Sequence, residues 1–173
     1  NRDQLAFYSI PQLAALLRSG DVTSVELTEL YLDRIARYDE QLEAVITITR
    51  DRAMERARKA DAELAAGIDR GPLHGIPYGV KDLLAVAGYP TTWGAAPYRN
   101  QELDYTATVV ERLDSAGAVL IAKLTSGSLA RGDVWFGGKT RNPWDMEQGA
   151  SGSSAGSASA TAAGLVGFSI GTE

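Results

Sequence analysis

Apolar positions recur at helical spacing through the first third of the chain. Leu13, Leu16 and Leu17 lie three and four apart between Ser9, which can cap a helix, and Gly20, which stops one. This predicts a helix over residues 9–19. Thr23 followed three residues on by Glu26 is a capping-box pattern. The helix it opens runs to about Asp39, with Val25, Leu27, Leu30, Tyr31, Ile35 and Tyr38 broadly on one side. Val45 to Thr49 alternate and are β-branched, which predicts a short strand. Residues 51–66 are rich in Ala, Arg and Glu and form a third helix that Gly67 ends, its charges a solvated face.

The texture changes at Gly71. Gly-Pro-Leu-His-Gly-Ile-Pro breaks helix, and Tyr78 to Lys81 read as a buried strand end. Asp104 is placed to cap a helix over Thr106–Ala116, and an apolar strand follows over Ala118–Ala122. Residues 131–152 read as loop, with Gly137-Gly138 and Asn142-Pro143 as turn signals. Ser153–Ala163 is a small-residue helix and Leu165–Ile170 a strand. This alternation predicts an α/β layer fold. Residues 1–70 are expected to form an N-terminal helical region and residues 71–173 the first part of an α/β core. Because the chain stops just after an apolar run, that core is expected to continue beyond residue 173.

Composition narrows the chemistry. The 173 residues carry a net charge of −5, which argues against a nucleic-acid-binding surface. No run of 18 apolar residues suggests a membrane span. No charged-then-apolar leader opens the sequence, and a cytoplasmic location is expected. The absence of Cys removes disulfides, thiolate nucleophiles and Cys-rich metal sites. A single histidine, His74, leaves little for a His-based metal site or a Ser-His-Asp triad.

Two segments carry candidate chemistry. From 149 to 171, 18 of 23 residues are Gly, Ala or Ser, which fits either a flexible linker or a loop entering a helix N-terminus. The continuation into Leu165-Val166-Gly167-Phe168 favours the second, and no P-loop lysine follows to hold a phosphate. The other segment is Gly75 to Leu84, where Lys81 stands among apolar, Gly and Pro residues. Lys81 is either an ordinary lysine, free or paired with Asp82, or a buried amine whose pKa falls from about 10.4 toward neutrality. In the second case, with no histidine to compete, it is the obvious base to activate a serine.

Together these segments resemble the amidase signature family. The resemblance rests on Leu73-His74-Gly75-Ile76-Pro77, Val80-Lys81-Asp82, Asn142-Pro143-Trp144-Asp145, Gly152-Ser153-Ser154-Ala155-Gly156-Ser157 and Ile170-Gly171-Thr172-Glu173, in that order. It implies the N-terminal part of an α/β/α layered fold with a mixed sheet. It implies a Ser–cis-Ser–Lys triad with Lys81 as base and Ser153 as the bridging, substrate-facing serine, after a cis Gly152–Ser153 bond. Ser154 is left to capping or loop hydrogen bonds. The nucleophilic serine is expected four positions after Glu173, with the oxyanion amides beside it, so the segment alone is expected to be inactive. The Ala130 carbonyl is expected to border the substrate.

The implied activity is hydrolysis of a carboxylic amide to acid and amine or ammonia through an acyl-enzyme, with no metal or organic cofactor. Alternatives are the glutaminase subunit of a tRNA-dependent amidotransferase, which works with partner subunits, and a non-catalytic binding or scaffolding homologue. The expected ligand is a small-molecule amide; a homodimer is a further possibility. Ser151 and Ala155 stand where the family often has Gly, Glu173 where it has Asp, and Lys123 to Ala130 departs from its usual stretch. His74 is expected to serve loop hydrogen bonding, Asp82 to support the loop around Lys81, and Trp93, Trp135 and Trp144 to anchor loops.

Overall fold

The computed structural model describes residues 2–173. A short 3₁₀ turn, Arg2–Phe7, leads into α1 (Ile10–Ser19) and α2 (Ser24–Leu42). Gly20 ends α1 with a left-handed φ of 76° and returns its N–H to the last carbonyls. The capping box forms at α2: Thr23 Oγ1 accepts from Glu26 N at 3.1 Å, and Glu26 Oε2 accepts from Thr23 N at 2.8 Å. The helix runs past Asp39 to Leu42, and the Asp39 carboxylate accepts the N–H groups of Ala44 and Val45 beyond the helix end. Burial pushes the Asp39 carboxyl up to about 6, against those two hydrogen bonds.

Strand β1 (Val45–Ile48) follows, then α3 (Arg50–Ala65). Ala53, Ala57 and Ala60 form its buried stripe, small enough for close approach to the sheet. Its charges are not all solvated. Arg52 and Arg56 reach Asp114, while Glu63 pairs with Arg70 at 2.6 Å.

The central sheet joins β1 to β2 (Pro77–Lys81), β3 (Val119–Leu124) and β8 (Phe168–Ile170), in the order β1-β3-β2-β8. Strand β2 is parallel to both neighbours and β1 is antiparallel to β3, so the sheet is mixed. Helix α4 (Thr108–Ser115) covers one face against Tyr78, Val80 and Leu120. Helices α2, α3 and α5 (Ala155–Ala162) cover the other against Val119, Ile121, Ala122 and Leu124. Residues before and after position 70 thus share one sheet and one core.

One irregularity has consequences for chemistry. Tyr78 pairs with Leu120, but Gly79 pairs with Ala122, so Ile121 is an extra residue in β3. Beyond this bulge Val80 pairs with Lys123 and Lys81 with Leu124. Paired residues of parallel strands face the same way, and side chains alternate along each strand. Lys123 therefore faces the α4 side and Lys81 the α5 side.

Three expected boundaries move. Helix α4 starts at Thr108 rather than under an Asp104 cap, because the preceding groups serve another loop: Ala107 N donates to Ala85 O at 2.9 Å and Thr106 Oγ1 accepts from Ala87 N at 3.1 Å. The 131–152 loop holds two small hairpins, Val134–Trp135 (β4) with Gly138–Lys139 (β5) and Arg141–Asn142 (β6) with Asp145–Gly149 (β7). Leu165 and Val166 are core residues but not strand. The buried Arg34 holds Gly164 O and Ala163 O at 2.7 and 2.9 Å there, closing α5 before the chain extends. Among the described residues no helix is long and apolar enough to cross a membrane.

Candidate active site

Lys81 ends β2 at the carboxyl edge of the parallel strands, the edge where open α/β sheets gather their ligand sites. Its side chain has no exposed surface. Nζ lies 2.6 Å from Ser153 Oγ and 2.8 Å from Thr172 Oγ1. Ser153 stands just before α5 and Thr172 just after β8, so three distant stretches converge on one nitrogen. The Gly152–Ser153 peptide bond is cis. Burial pushes the Lys81 ammonium down from its ordinary value, and the Glu173 carboxylate partly opposes it. No carboxylate lies within ion-pair distance of Lys81 among the described residues.

Ser154 occupies the cap position of α5 without capping it. Its hydroxyl instead accepts from Thr172 N and donates to Thr172 O, both at 3.1 Å. Ser157 Oγ donates to Ile170 O at 3.1 Å, and Ser169 Oγ donates to Ser157 O at 3.0 Å. The serine-rich helix is thus stitched to β8. It also lies unusually close to the sheet end: a Cβ at Gly156 would fall 2.3 Å from Thr125 N.

The loop bearing Ala130 lies against Ser153. Gly127 N donates to Ser153 O at 3.1 Å, and Ala130 N donates to Gly127 O at 2.9 Å. Ala130 is exposed, with a left-handed φ of 61°. The crossing admits no side chains: a Cβ at Gly127 would stand 1.8 Å, and one at Gly152 1.9 Å, from Gly132 O.

Asp82 does not serve Lys81. Its Oδ1 lies 2.6 Å from Lys123 Nζ, with both side chains fully buried, while its Oδ2 accepts from Thr92 N at 2.9 Å and from the Thr92 hydroxyl. Lys123 also donates to Thr91 Oγ1 at 2.7 Å and Pro90 O at 2.5 Å. His74 sits before the opposite end of β2: Nε2 is 3.0 Å from Glu63 Oε2, and Nδ1 accepts from Arg70 N at 3.2 Å. Trp93 packs on Tyr98 and Trp135 on Phe136, while Trp144 is 79% exposed, its main-chain N–H donating to Asn142 Oδ1 at 3.0 Å.

A family model for amidases matches residues 26–173. The chain belongs to the amidase family. It is 45% identical over 168 residues to a glutamyl-tRNA(Gln) amidotransferase subunit of Aromatoleum aromaticum, an overlap of 95% of this chain and 34% of that protein. The peptide amidase of Stenotrophomonas maltophilia superposes with a TM-score of 0.88 at 39% identity, over 95% of this chain and 36% of that one. A fatty acid amide hydrolase structure gives 0.91 at 21% identity, over 99% and 31%, and shows the shared fold alone. The chain spans about a third of the length of the curated relatives it matches.

Within this amidase-family chain the structure brings Lys81 and Ser153 into contact and lays the Ala130 loop alongside. Sequence reasoning missed the contact of Thr172 with Lys81, although Thr172 stands in one of the family-like motifs. It also missed the Lys123–Asp82 pair. The available signal was a second lysine, at the end of an apolar strand.

Proposed function

We propose that this chain is the base-and-bridge portion of a serine amide hydrolase, with Lys81 as general base and Ser153 as proton relay. The observation that carries this reading is the buried Lys81 Nζ, 2.6 Å from a hydroxyl and, among the described residues, paired with no carboxylate. A desolvated amine is neutral at lower pH than an exposed one, and a neutral amine accepts a proton. Lys81 takes the Ser153 proton while Ser153 takes one from a nucleophilic serine outside these 173 residues. The serine oxygen adds to the amide carbonyl, and the proton returns through Ser153 to the leaving nitrogen as the C–N bond breaks. Water then attacks the acyl-enzyme by the same relay and releases the acid. The Ala130 carbonyl offers the substrate an acceptor beside Ser153.

A second reading is favoured by the 45% identity to a tRNA-dependent amidotransferase component: the amide is glutamine, and turnover requires partner subunits. The full-length enzyme decides between them. Hydrolysis of simple amides by the enzyme alone supports the amidase; glutamine hydrolysis only with added partner subunits supports the glutaminase. In either assay Ser153→Ala is expected to lose about 10²–10⁴-fold in kcat/KM. A loss below tenfold, worth about 1.4 kcal/mol, would remove Ser153 from the relay.

A further inference from the structure

We infer that Thr172 is a positioning residue for Lys81, and that Ser154 holds Thr172 for that task. The inference rests on the reading of Lys81 as the base. A neutral lysine amine has two N–H groups and a single lone pair, at the end of a stem with four rotatable bonds. To act as a base it must present the lone pair to Ser153 and direct its N–H groups elsewhere. Thr172 Oγ1, 2.8 Å from Nζ, accepts one of those N–H groups. With one hydrogen so committed, rotation about the terminal bond is cut to two orientations, one of which turns the lone pair to Ser153.

Thr172 is itself clamped. Ser154 Oγ takes the Thr172 N–H and gives its own proton to the Thr172 carbonyl. One hydroxyl thereby satisfies both main-chain groups of a residue outside any strand or helix. Gly171 allows this grip, since a Cβ there would lie 2.9 Å from Ser154 Oγ. The contacts close a ring: Lys81 to Ser153, along the chain to Ser154, across to Thr172, and back to Lys81. The adjacent serines divide the work, Ser153 passing the proton and Ser154 aiming the base through Thr172.

The test uses Thr172→Val, Thr172→Ser and Ser154→Ala in the full-length enzyme, with Lys81→Ala as reference. Thr172→Val is expected to lower kcat about 10–100-fold with little change in KM, the cost of a misaligned reacting group. Thr172→Ser keeps the hydroxyl and stays within about threefold of wild type. Loss of an acceptor disfavours the ammonium, so the ascending limb of the pH profile moves to lower pH in Thr172→Val. Ser154→Ala moves it the same way by less. The Lys81 ¹³Cε chemical shift followed across pH by NMR reports the same displacement without turnover.

Equal losses in Thr172→Val and Thr172→Ser with an unmoved Lys81 titration would reduce Thr172 to a structural role and overturn the inference. So would a Thr172→Val enzyme with wild-type kcat. Should Thr172→Val not fold, Thr172→Ser and Ser154→Ala decide by the same two readouts. Activity retained in Lys81→Ala sinks the base itself, a separate failure, and the NMR titration of Lys81 still judges the Thr172 contact.

Discussion

Lys81 ends one parallel strand and Lys123 stands one residue before the end of its neighbour, and neither side chain exposes any surface. Around Lys123 the protein supplies everything a buried ammonium needs: a carboxylate at 2.6 Å, a carbonyl and a hydroxyl. Around Lys81 it supplies two hydroxyls, groups that donate as readily as they accept. Burial pushes both amines down from their ordinary value, but only at Lys123 does a contacting carboxylate push back. The first environment fastens the 90–94 strap to the sheet. The second keeps an amine free to change its protonation state. The same residue type under the same burial is held in an ion pair or left among hydroxyls according to the partner on its face of the sheet, and the Ile121 bulge assigns the faces.

The comparison breaks most sharply through activity. Lys81→Met is expected to lose about 10²–10⁴-fold in kcat/KM of the full-length enzyme. Its unfolding midpoint in denaturant should correspond to a stability within about 1 kcal/mol of wild type, or higher, because no charge partner is orphaned. Loss of folding along with activity would make Lys81 structural.

Lys123→Met should do the reverse. It strands the Asp82 carboxylate in a site with no exposed surface, at a cost of about 3–5 kcal/mol by denaturant unfolding. Asp82→Asn should cost at least about 0.5 kcal/mol less in the Lys123→Met background than in the wild type, the least coupling that contacting residues show. An additive double mutant would mean that the pair contributes no mutual stabilisation.

The smallest effect lies in pH. A lysine with a lowered pKa when folded binds fewer protons than the unfolded chain up to the ordinary lysine value of about 10.4. Stability therefore rises with pH through that window and levels off above it. Lys81→Met should remove part of this rise and leave the part that belongs to Lys123. An unchanged slope between wild type and variant would mean that burial does not perturb Lys81.

What the sequence disclosed was local. The capping box at Thr23 and Glu26, the stop at Gly20 and the strand ending at Lys81 depend on residues a few positions apart, and each stands close to where the pattern put it. The resemblance brought Lys81 and Ser153 together across 72 positions. Partnerships without local pattern stayed hidden. Asp82 follows Lys81 in the chain, yet strand alternation turns it toward Lys123. Ser154 reads as serving a cap or a loop hydrogen bond; the structure takes the second, and Thr172, the partner no local pattern names, claims both its donor and its acceptor. The strands of the two small hairpins are mostly two residues long, too short for alternation to register.

The glycine crossing beside Ser153 bears on how a chain of this fold can diversify. Gly127, Gly132 and Gly152 fasten the stretch between them at both ends, while its outer tip carries the exposed Trp144. A strip tied at both ends can be lengthened in the middle cheaply, since each doubling of a loop costs only about 0.6 kcal/mol of closure entropy. Residues inserted at the Pro143–Trp144 tip should therefore leave the pH titration of Lys81 unmoved, whereas Gly132 can be displaced only by parting the strand of chain that carries Ser153. New surface can be tried at the tip, generation after generation, while the contact between Lys81 and Ser153 is inherited intact.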